Sequence, residues 1–450
     1  MNRRIFLKKN ILATTGLALA PALSWGKAVA PDKKVRIGMI GVGKRGTSHL
    51  RNLLYRDDIT IPAICDIDPE RIKIAQELIA KAGHKKAENY TSGEHAYLDL
   101  LKRKDLDGVI IATPWEWHTP MAVAAMKAGK RPGVEVSAAN TIEECWDLVN
   151  TSEETGVHCM ILENSCYRRD VMAVLNMVRQ GVFGELVHLQ CGYEHDLRKV
   201  KFEPGVEFGA KGVHEASWRT NHSVHRNGDL YPTHGIGPMA HCININRGNR
   251  FVSLTSMATK SRGLHDYIVK NGGADHPNAK VEFKLGDIVT TLISTQNGET
   301  IVVTHDTNLP RPYSLGYRVQ GTNGIWMVDG NMIYIEGKSP ETGHGENHRG
   351  EAADAMLKEY DHPLWKKLAH KATGTGHGGI DFFVLNSYVE SIKRNVPFPI
   401  DVYDAAAWSV ISPLSEMSIA AGGAPQLFPD FTRGNWINRK PVFALSDDHI

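Results

Sequence analysis

A glycine-rich turn near the N-terminus constrains the fold of this chain more than any other feature of the sequence. An apolar run at residues 35–40 leads into Gly41-Val42-Gly43-Lys44-Arg45-Gly46, and a helical pattern of apolar residues follows. In such a unit the first glycine permits a tight turn, the second lets the backbone approach a pyrophosphate, and the third lets the helix pack on the strand. A phosphate there meets backbone N–H groups and the positive end of the helix. The turn predicts a dinucleotide-binding unit in which Gly41, Gly43, Lys44, Arg45 and Gly46 contact the cofactor.

A second strand-like run at residues 59–65 ends in Asp66. A carboxylate at the end of this strand can accept hydrogen bonds from both ribose hydroxyls and would repel a 2′-phosphate. Asp66 therefore favours NAD over NADP. The alternative is that Asp66 only caps the following helix, which opens at Asp68-Pro69-Glu70.

The alternation of strand-like and helix-like segments continues to about residue 165, which predicts an α/β fold with a doubly wound parallel Rossmann sheet in residues 31–165. Helices are expected at 70–82, 94–103, 119–129 and 141–155, and strands at 108–113, 133–136 and 157–162. The segments after the later strands should face the cofactor. They add to its expected contacts Trp115, Glu116, Trp117, His118, Glu135, Val136 and Asn164. Trp115 and Trp117 could instead be core aromatics, and Glu135 a helix cap.

The pattern changes in residues 166–450, where strand-like segments dominate. After a helix at 168–180, these segments lie at 186–194, 251–260, 280–285, 287–296, 300–307, 315–320, 324–329 and 332–335. Two helices are expected at 379–395 and 403–421, and residues 336–352 look like a loop. Hairpin turns such as Gln296-Asn297-Gly298 predict a C-terminal α/β domain with a large, open, mixed or antiparallel sheet.

The first 30 residues have the features of a twin-arginine export signal. Arg3-Arg4 precedes an apolar run at residues 11–23 that is too short to span a bilayer, and Ala28-Val29-Ala30 offers a cleavage site. The alternative is a frayed amphipathic helix. We expect a periplasmic or secreted protein without stable membrane anchoring.

Charge and cysteine usage restrict the partners further. A net charge of +2 gives no strong field, so neither nucleic acid nor an anionic membrane is expected as a partner. The six cysteines form no C-x-x-C pair and are expected to be buried thiols.

Several long motifs identify a family resemblance that covers nearly the whole mature chain. The N-terminal Rossmann pattern with Ala112-Thr113-Pro114 and His118 resembles the Gfo/Idh/MocA oxidoreductases. More narrowly, the chain is similar to glycoside hydrolase family 109 in the segments 114–118 (PWEWH), 163–170 (ENSCYRRD), 218–222 (WRTNH), 231–235 (YPTHG), 311–313 (RPY) and 377–381 (HGGID).

The resemblance implies an α-N-acetylgalactosaminidase that uses bound NAD. Many sugar dehydrogenases of the wider superfamily carry Glu-Lys-Pro after the fifth strand, where the lysine assists proton transfer. This chain has Glu135-Val136-Ser137 at that place and therefore lacks the lysine. Family 109 is similar in lacking it.

Bound NAD opens a route to glycoside cleavage without net oxidation. A hydride leaves sugar C3, the C2 proton becomes acidic beside the new carbonyl, and its loss expels the aglycone from C1. Water then adds to the unsaturated sugar and the hydride returns to C3. NAD is recycled, so a tightly bound catalytic cofactor suffices, whereas direct hydrolysis would need two carboxylates at the anomeric carbon.

The resemblance also implies the site residues. His234 is expected beside the nicotinamide as the acid or base at the C3 hydroxyl, a role that suits histidine. Tyr231 would support it, contact the cofactor or bind sugar, and Tyr313 would transfer a proton or bind a hydroxyl. Tyr193 and Arg219 resemble substrate contacts, and His377 could act on the leaving group. Each could instead have a structural role, as a half-buried aromatic, a paired arginine or a surface histidine.

Other interpretations remain at this stage. His214, His222 and His225 with Glu215 match no zinc spacing, so we expect no metal. The first alternative function is a net sugar dehydrogenase of the same superfamily, and the second is a non-catalytic NAD or sugar sensor. A homo-oligomer is expected by analogy, and the substrate is expected to be a small glycoside or a glycan terminus.

Overall fold

The first half of the chain forms a parallel sheet flanked by helices. The computed structural model describes residues 34–340 and 350–445. The strands are β1 (Val35–Ile40), β2 (Ile59–Cys65), β3 (Glu88–Tyr90), β4 (Gly108–Ile111), β5 (Arg131–Val134) and β6 (Met160–Ile161). Between them lie α1 (Lys44–Leu54), α2 (Pro69–Lys81), α3 (Ala96–Leu101), α4 (Trp115–Lys127) and α5 (Ile142–Thr155).

The sheet has the doubly wound order that the sequence predicts. Its six strands follow the order β3-β2-β1-β4-β5-β6, so successive strands are added on one side of β1 up to β3 and on the other side from β4 onward. Strand β4 is buried along its whole length, as expected for an apolar strand covered on both faces. In sheets of this kind ligands bind beyond the carboxyl ends of the strands, at the switch point.

The second half of the chain is built on a mixed sheet of nine strands. After α6 (Arg169–Arg179), these are β7 (Leu186–Glu194), β8 (Phe251–Ala258), β9 (Ile288–Thr295), β10 (Thr300–Asp306), β11 (Arg318–Gly321), β12 (Gly324–Met327), β13 (Met332–Ile335), β14 (Glu351–Ala352) and β15 (Gln426–Leu427). Their order is β14-β13-β12-β11-β7-β10-β9-β8-β15. Strands β7 and β10 pair in parallel and the other neighbours pair antiparallel. The structure thereby confirms the predicted fold class.

Helices cover this second sheet and connect it to the first. They are α7 (Arg198–Lys201), α8 (Arg219–His225), α9 (Thr233–Cys242), α10 (Gly263–Gly272), α11 (Asp354–Glu359), α12 (Pro363–Ala372), α13 (Ile380–Arg394), α14 (Val402–Ser409) and α15 (Ile411–Ala420). Helix α13 returns to the parallel sheet, where the buried Tyr388 hydroxyl donates toward the carbonyl oxygens of Arg131 (2.7 Å) and Val109 (3.1 Å). One apolar cluster runs through both halves of the chain.

Several expected element boundaries are wrong. Residues 280–285 form no strand, because a 3-10 turn at Pro277–Lys280 precedes irregular chain there. The helix expected at 119–129 begins earlier, because residues 115–118 already form the first turn of α4. The single helix expected at 403–421 is α14 followed by α15, because Pro413 lacks the N–H that would continue the helical hydrogen bonds.

Some expectations fall on residues outside the described ranges. The export signal at 1–30 lies entirely there, as does part of the loop expected at 336–352. Residues 351 and 352, however, form β14 and pair with β13, so that end of the loop prediction is wrong. All six cysteines are buried and unpaired, as predicted. Within residues 34–340 and 350–445, no helix has the length and apolar character needed to cross a bilayer.

Candidate active site

A single cleft of about 560 Å³ joins the carboxyl ends of the parallel strands to the second half of the chain. Its volume falls in the ordinary range for small-molecule and cofactor sites. Of the residues predicted for the site, the cleft is lined by Gly41, Gly43, Lys44, Arg45, Asp66, Trp115, Trp117, His118, Glu135, Val136, Asn164, Tyr193, Arg219, Tyr231, His234 and His377. Gly46, Glu116 and Tyr313 do not line it.

The glycine turn has the geometry that a pyrophosphate requires. A Cβ on Gly41 would lie 2.6 Å from the Ala112 carbonyl oxygen, and one on Gly46 would lie 2.0 Å from the Gly41 carbonyl oxygen. A Cβ on Gly43 would meet nothing within 4 Å, so this glycine leaves open space at the start of α1. Two glycines therefore allow close packing, and the third keeps the helix N-terminus accessible to phosphate.

Asp66 stands at the end of β2 beside this turn. Its carboxylate accepts hydrogen bonds from the Val42 N–H (2.7 Å) and the Asp68 N–H (2.9 Å). It thus supports the turn in addition to facing the cleft. The helix-capping alternative is not what the structure shows, because the N-cap of α2 is Asp68, whose side chain accepts from the Glu70 N–H.

Arg45 belongs to a buried charge network below the turn. Its Nε donates to Glu135 (2.7 Å), and its two terminal nitrogens donate to the two oxygens of Asp381 (2.8 and 3.1 Å). Burial opposes the charge of Arg45, but the two carboxylates outweigh burial and raise its pKa. Glu135 also lies 2.5 Å from His49 Nε2, and burial lowers the pKa of that histidine. Lys44 pairs instead with Glu203, at 3.2 Å.

The residues at the start of α4 serve different purposes. Trp115 is buried between the rings of Trp218 and Tyr231, at 5.2 and 5.7 Å, and forms a wall of the cleft. His118 is buried with both ring nitrogens near backbone carbonyl oxygens, those of Ser137 (2.7 Å) and Thr113 (2.8 Å), so it joins two loops.

The other two residues of that turn, Glu116 and Trp117, each lie beside a histidine. Trp117 packs against His95, with ring centroids 5.5 Å apart, although it also lines the cleft. Glu116 lies 3.7 Å from His222 Nε2, outside the cleft lining.

His234, near the start of α9, is held by a buried carboxylate. Its Nδ1 lies 2.7 and 2.9 Å from the two oxygens of Glu163, whose side chain is inaccessible to solvent. A carboxylate only accepts hydrogen bonds, so Nδ1 carries a proton and Nε2 is left for chemistry. The Ser165 N–H also donates to Glu163 and fixes the carboxylate.

Aromatic side chains and one arginine surround His234. The Tyr231 and Tyr193 rings lie 4.9 and 5.5 Å from its ring, and 4.5 Å from each other. The Arg219 guanidinium stacks 5.0 Å from the ring centroids of both Trp115 and Tyr231 and pairs with Glu215. We call Tyr193, Arg219, Tyr231 and His234 the catalytic cluster.

Tyr313 and His377 lie at the margins of this arrangement. The Tyr313 ring is 6.4 Å from Tyr193 and 4.8 Å from His195, and about half of the side chain is exposed. Burial raises the Tyr313 pKa, so its phenol stays neutral. His377 contacts Arg45 (3.3 Å) and Asp381 (2.7 Å), next to the glycine turn.

Three residues of the site were missed at the sequence level. Glu163 was expected only in a loop that faces the cofactor, and Asp381 was given no role; their partners, His234 and Arg45, are 71 and 336 residues away. His195 was overlooked although it follows Tyr193 by two positions, and its Nδ1 lies 3.1 Å from the Tyr193 hydroxyl. Its position two residues from Tyr193, on the same side of an extended chain, was an available signal.

Two residues of the histidine-rich stretch around residue 214 each lie near an ionisable side chain. His214 lies 3.2 Å from Glu203, and Glu215 pairs with Arg219. Among residues 34–340 and 350–445 there is no group of three or more His, Cys, Asp or Glu side chains placed to hold a metal ion.

The fold and the turn define the class of protein first. Residues 35–163 match the model of the oxidoreductase family with an NAD-binding Rossmann fold. A solved NAD-binding oxidoreductase from Klebsiella pneumoniae has a TM-score of 0.67 at 18% identity, covering 88% of this chain and 99% of that one. Levoglucosan dehydrogenase, solved with NADH and levoglucosan, has a TM-score of 0.64 at 20% identity, covering 88% of this chain and 100% of the other.

The family follows from the second half of the chain. Residues 167–438 match the C-terminal domain model of glycosyl hydrolase 109. An α-N-acetylgalactosaminidase from Tannerella forsythia is 55% identical, covering 98% of this chain and 99% of its own. A glycosyl hydrolase family 109 protein from Stenotrophomonas maltophilia is 53% identical, covering 99% and 98%. The chain belongs to glycoside hydrolase family 109, and it is an NAD-dependent glycosidase.

Proposed function

We propose that this glycosidase hydrolyses terminal α-N-acetylgalactosaminides by the redox-neutral route through sugar C3. One observation carries the proposal: the dinucleotide turn and the catalytic cluster line the same cleft. The Tannerella forsythia relative named for this activity supports the choice of sugar. Glu215, the cleft-lining acid that contacts the catalytic cluster, is paired with Arg219, which argues against Glu215 as a free carboxylate nucleophile beside the sugar.

The cleft residues fit an NAD cofactor. The turn leaves space at Gly43, Asp66 suits ribose hydroxyls, and the buried Asn164 Oδ1 has no hydrogen-bond partner among the described residues. A buried acceptor without a partner calls for a donor on a ligand. When bound, NAD supplies a reversible acceptor of hydrogen at C3, which makes the C2 proton acidic.

The protein side chains provide the proton transfers and the sugar contacts. Glu163 holds the Nδ1 proton of His234, so Nε2 is the atom that takes and returns the proton of the C3 hydroxyl. Tyr193, Tyr231 and Arg219 form the wall against which the sugar is oriented. Tyr313 remains a neutral phenol and donates a hydrogen bond at the mouth of the site.

Proton NMR in heavy water tests the route. The mature protein is mixed with an aryl α-N-acetylgalactosaminide, and no NAD is added. Release of the phenol with deuterium at sugar C2 is the expected result, because the C2 proton exchanges with solvent when it is removed. Hydrolysis with hydrogen retained at C2 would contradict the elimination step. Reduction of added NAD by free sugar, without phenol release, would indicate a dehydrogenase instead.

We also propose that NAD remains bound through turnover and that no metal takes part. The contacts of Arg45 beside the turn support retention, and the pairing of Glu215 with Arg219 argues against a metal at that stretch. Activity should survive EDTA treatment and gel filtration without added NAD. Loss of activity after EDTA, restored by a divalent metal, would contradict the metal-free proposal.

Export and assembly complete the proposal. The twin-arginine pattern at residues 1–30 supports transport of a folded protein, which would carry its cofactor outward. Cell fractionation with N-terminal sequencing should find a mature protein that begins after Ala30. Exposed apolar side chains on the second sheet, Met257, Leu292 and Leu427, favour a homo-oligomer over a monomer. Light scattering would measure its mass.

A further inference from the structure

The glycine turn meets a C-terminal segment at one ion pair, and we propose that this contact is a clamp that retains the cofactor. The clamp consists of Arg45, Glu135, His377 and Asp381. This inference rests on the function proposed above, because it takes NAD as the resident cofactor. It changes the expected role of His377, which the family resemblance placed at the leaving group.

Arg45 follows the turn directly, yet its charge is committed to the protein. Its two terminal nitrogens hold both oxygens of Asp381, and its Nε holds Glu135. A guanidinium engaged with two carboxylates offers no unpaired charge to a phosphate. Arg45 therefore joins the turn to β5 and α13 rather than serving as a free anion ligand.

The segment before α13 is shaped to reach the turn. His377, Gly378 and Gly379 have φ angles of 51°, 69° and 101°, and a non-glycine residue at positive φ persists only where its surroundings hold it. A Cβ on Gly376 would lie 2.5 Å from Asp381 and 3.2 Å from the Ser48 hydroxyl on α1. The backbone is thus packed directly on the helix that begins at the glycine turn.

His377 completes the contact from the cleft side. Its Nδ1 lies 2.7 Å from Asp381, and its side chain is 59% exposed while lining the same cleft as Gly41 and Gly43. The side-chain contacts of His377 are with Arg45 and Asp381, whereas the catalytic cluster is assembled around Glu163 and Trp115. Its neighbours therefore place His377 with the cofactor turn.

Asp381 also orients a second cofactor-facing group. Its Oδ1 accepts a hydrogen bond from Asn164 Nδ2 at 2.7 Å. That bond directs the other half of the amide, the unpartnered Oδ1, away from Asp381. Asn164 is 3% exposed and lines the cleft, so its free acceptor is available to a ligand donor there. The buried Asp381 carboxylate thus binds Arg45 beside the turn and also orients the Asn164 amide oxygen as an acceptor for a ligand.

The clamp is not needed simply to attach α13 to α1. Helix α13 is also joined to the connection that follows α1, by Arg56 with Glu390 (2.5 Å) and by Lys393 with Asp58 (2.8 Å). Glu390 follows Asp381 by nine residues, which is roughly 13 Å along a helix. The second contact provides a matched control, because it joins α13 to the chain just after α1, away from the cleft.

The test measures how long NAD stays on the protein. Wild-type protein and the variants Asp381→Asn, Arg45→Lys, His377→Ala and Glu390→Gln are purified and assayed for NAD per chain. Each is then diluted, and the bound NAD that survives gel filtration is followed with time. Thermal unfolding with saturating NAD shows that each variant is folded.

We expect Asp381→Asn and Arg45→Lys to release NAD about tenfold faster or more, since each weakens the charge-assisted hydrogen bonds that join the turn to α13. His377→Ala, which removes an exposed side chain, should give a smaller acceleration. Glu390→Gln should release NAD at the wild-type rate.

Two results would overturn the clamp while leaving the proposed function intact. One is wild-type retention in Asp381→Asn and Arg45→Lys. The other is equal acceleration in Glu390→Gln, which would assign the effect to general docking of α13. Wild-type protein that is purified without NAD would overturn the resident cofactor, and the clamp with it.

Discussion

His234 and Glu163 illustrate how single residues organise the site. The pair buries a carboxylate completely and gives it two donors, the His234 Nδ1 and the Ser165 N–H. The carboxylate fixes the ring orientation and the tautomer, and in the proposed mechanism it stabilises the imidazolium that forms when Nε2 takes a proton. Glu163 acts through His234 and does not itself line the cleft.

Replacing Glu163 by Gln should lower kcat with little effect on KM. Gln keeps the size of the side chain and can still accept from Nδ1, but it removes the charge that stabilises the imidazolium. General acid–base catalysis contributes about 10²–10⁴-fold, so a loss in kcat within that range is expected. Steady-state kinetics and NAD content should be measured together. A variant that loses NAD, or changes only KM, would show that Glu163 has another role.

Asp229 gives the fold a pH-dependent stability. It is fully buried, and its Oδ1 accepts only the Tyr231 N–H (3.2 Å) while its Oδ2 lacks a partner within the described ranges. Burial raises the pKa of Asp229 to about 7. An unfolded aspartate titrates near 3.9, so the folded protein holds this proton more tightly. The contribution of Asp229 to stability is therefore full below about pH 4 and is lost as the pH rises to about 7.

Asp229→Asn should remove this pH dependence. Relative to wild type, the variant should gain free energy of unfolding between pH 4 and pH 8, by at most about 4 kcal/mol, since one pKa unit corresponds to about 1.4 kcal/mol. Denaturant unfolding at both pH values measures the difference. Asp147→Asn, on an exposed aspartate of α5, is the control and should run parallel to wild type. If the difference in free energy of unfolding between Asp229→Asn and wild type were the same at both pH values, Asp229 would not hold a buried proton.

At the scale of elements, β1, the glycine turn and α1 act as one unit. Gly46 lets α1 approach the Gly41 carbonyl, whereas Gly43 contacts nothing that an added methyl group would displace. The φ angle of Gly43 is −65°, which lies outside the left-handed region that favours glycine. Gly46 is therefore needed for packing of α1, whereas Gly43 is needed for the space that the cofactor occupies.

Gly43→Ala should leave stability of the NAD-free protein near that of wild type and weaken NAD binding, because its methyl group occupies the open space at the helix N-terminus. Gly46→Ala should lower both, because its methyl group collides with backbone. Thermal unfolding without cofactor, together with NAD titration, distinguishes the two. Tight NAD binding by Gly43→Ala would mean that the phosphate lies elsewhere.

At the scale of the whole molecule, the cleft couples the two sheets. The parallel strands supply the turn and Asp66, the second half supplies the catalytic cluster, and one apolar cluster continues between them. A ligand in this cleft binds the folded protein only, so it stabilises the entire chain by mass action.

NAD should therefore stabilise cofactor-free protein more than NADP does. At 100 times its dissociation constant, NAD is expected to add about 2.7 kcal/mol to the free energy of unfolding. NADP at the same concentration should add far less, because the Asp66 carboxylate repels the 2′-phosphate. Thermal unfolding with each dinucleotide measures this. Equal protection by NADP would show that Asp66 only supports the Val42 turn.

Prediction from sequence succeeded for elements that a short local pattern specifies. It failed for elements that form only because of tertiary packing. The βα alternation and the glycine turn are local patterns, and the structure confirms them as a six-stranded parallel sheet. Helix α9 was missed because Gly235, Gly237 and Pro238 are poor helix formers. That helix forms nevertheless because it is buried, with Gly235 against the backbone of Gly192 and Gly237 against Trp408.

The sequence by itself determined the parallel sheet, the cofactor turn and the family, since these depend on residues close together in the chain. Only the tertiary structure decided which charges meet. Glu163 joins His234 and Arg45 joins Asp381 because β6, α1, α9 and α13 converge on one edge of the sheet. A buried charge must find a partner wherever the fold brings one, and that partner has no fixed spacing in sequence.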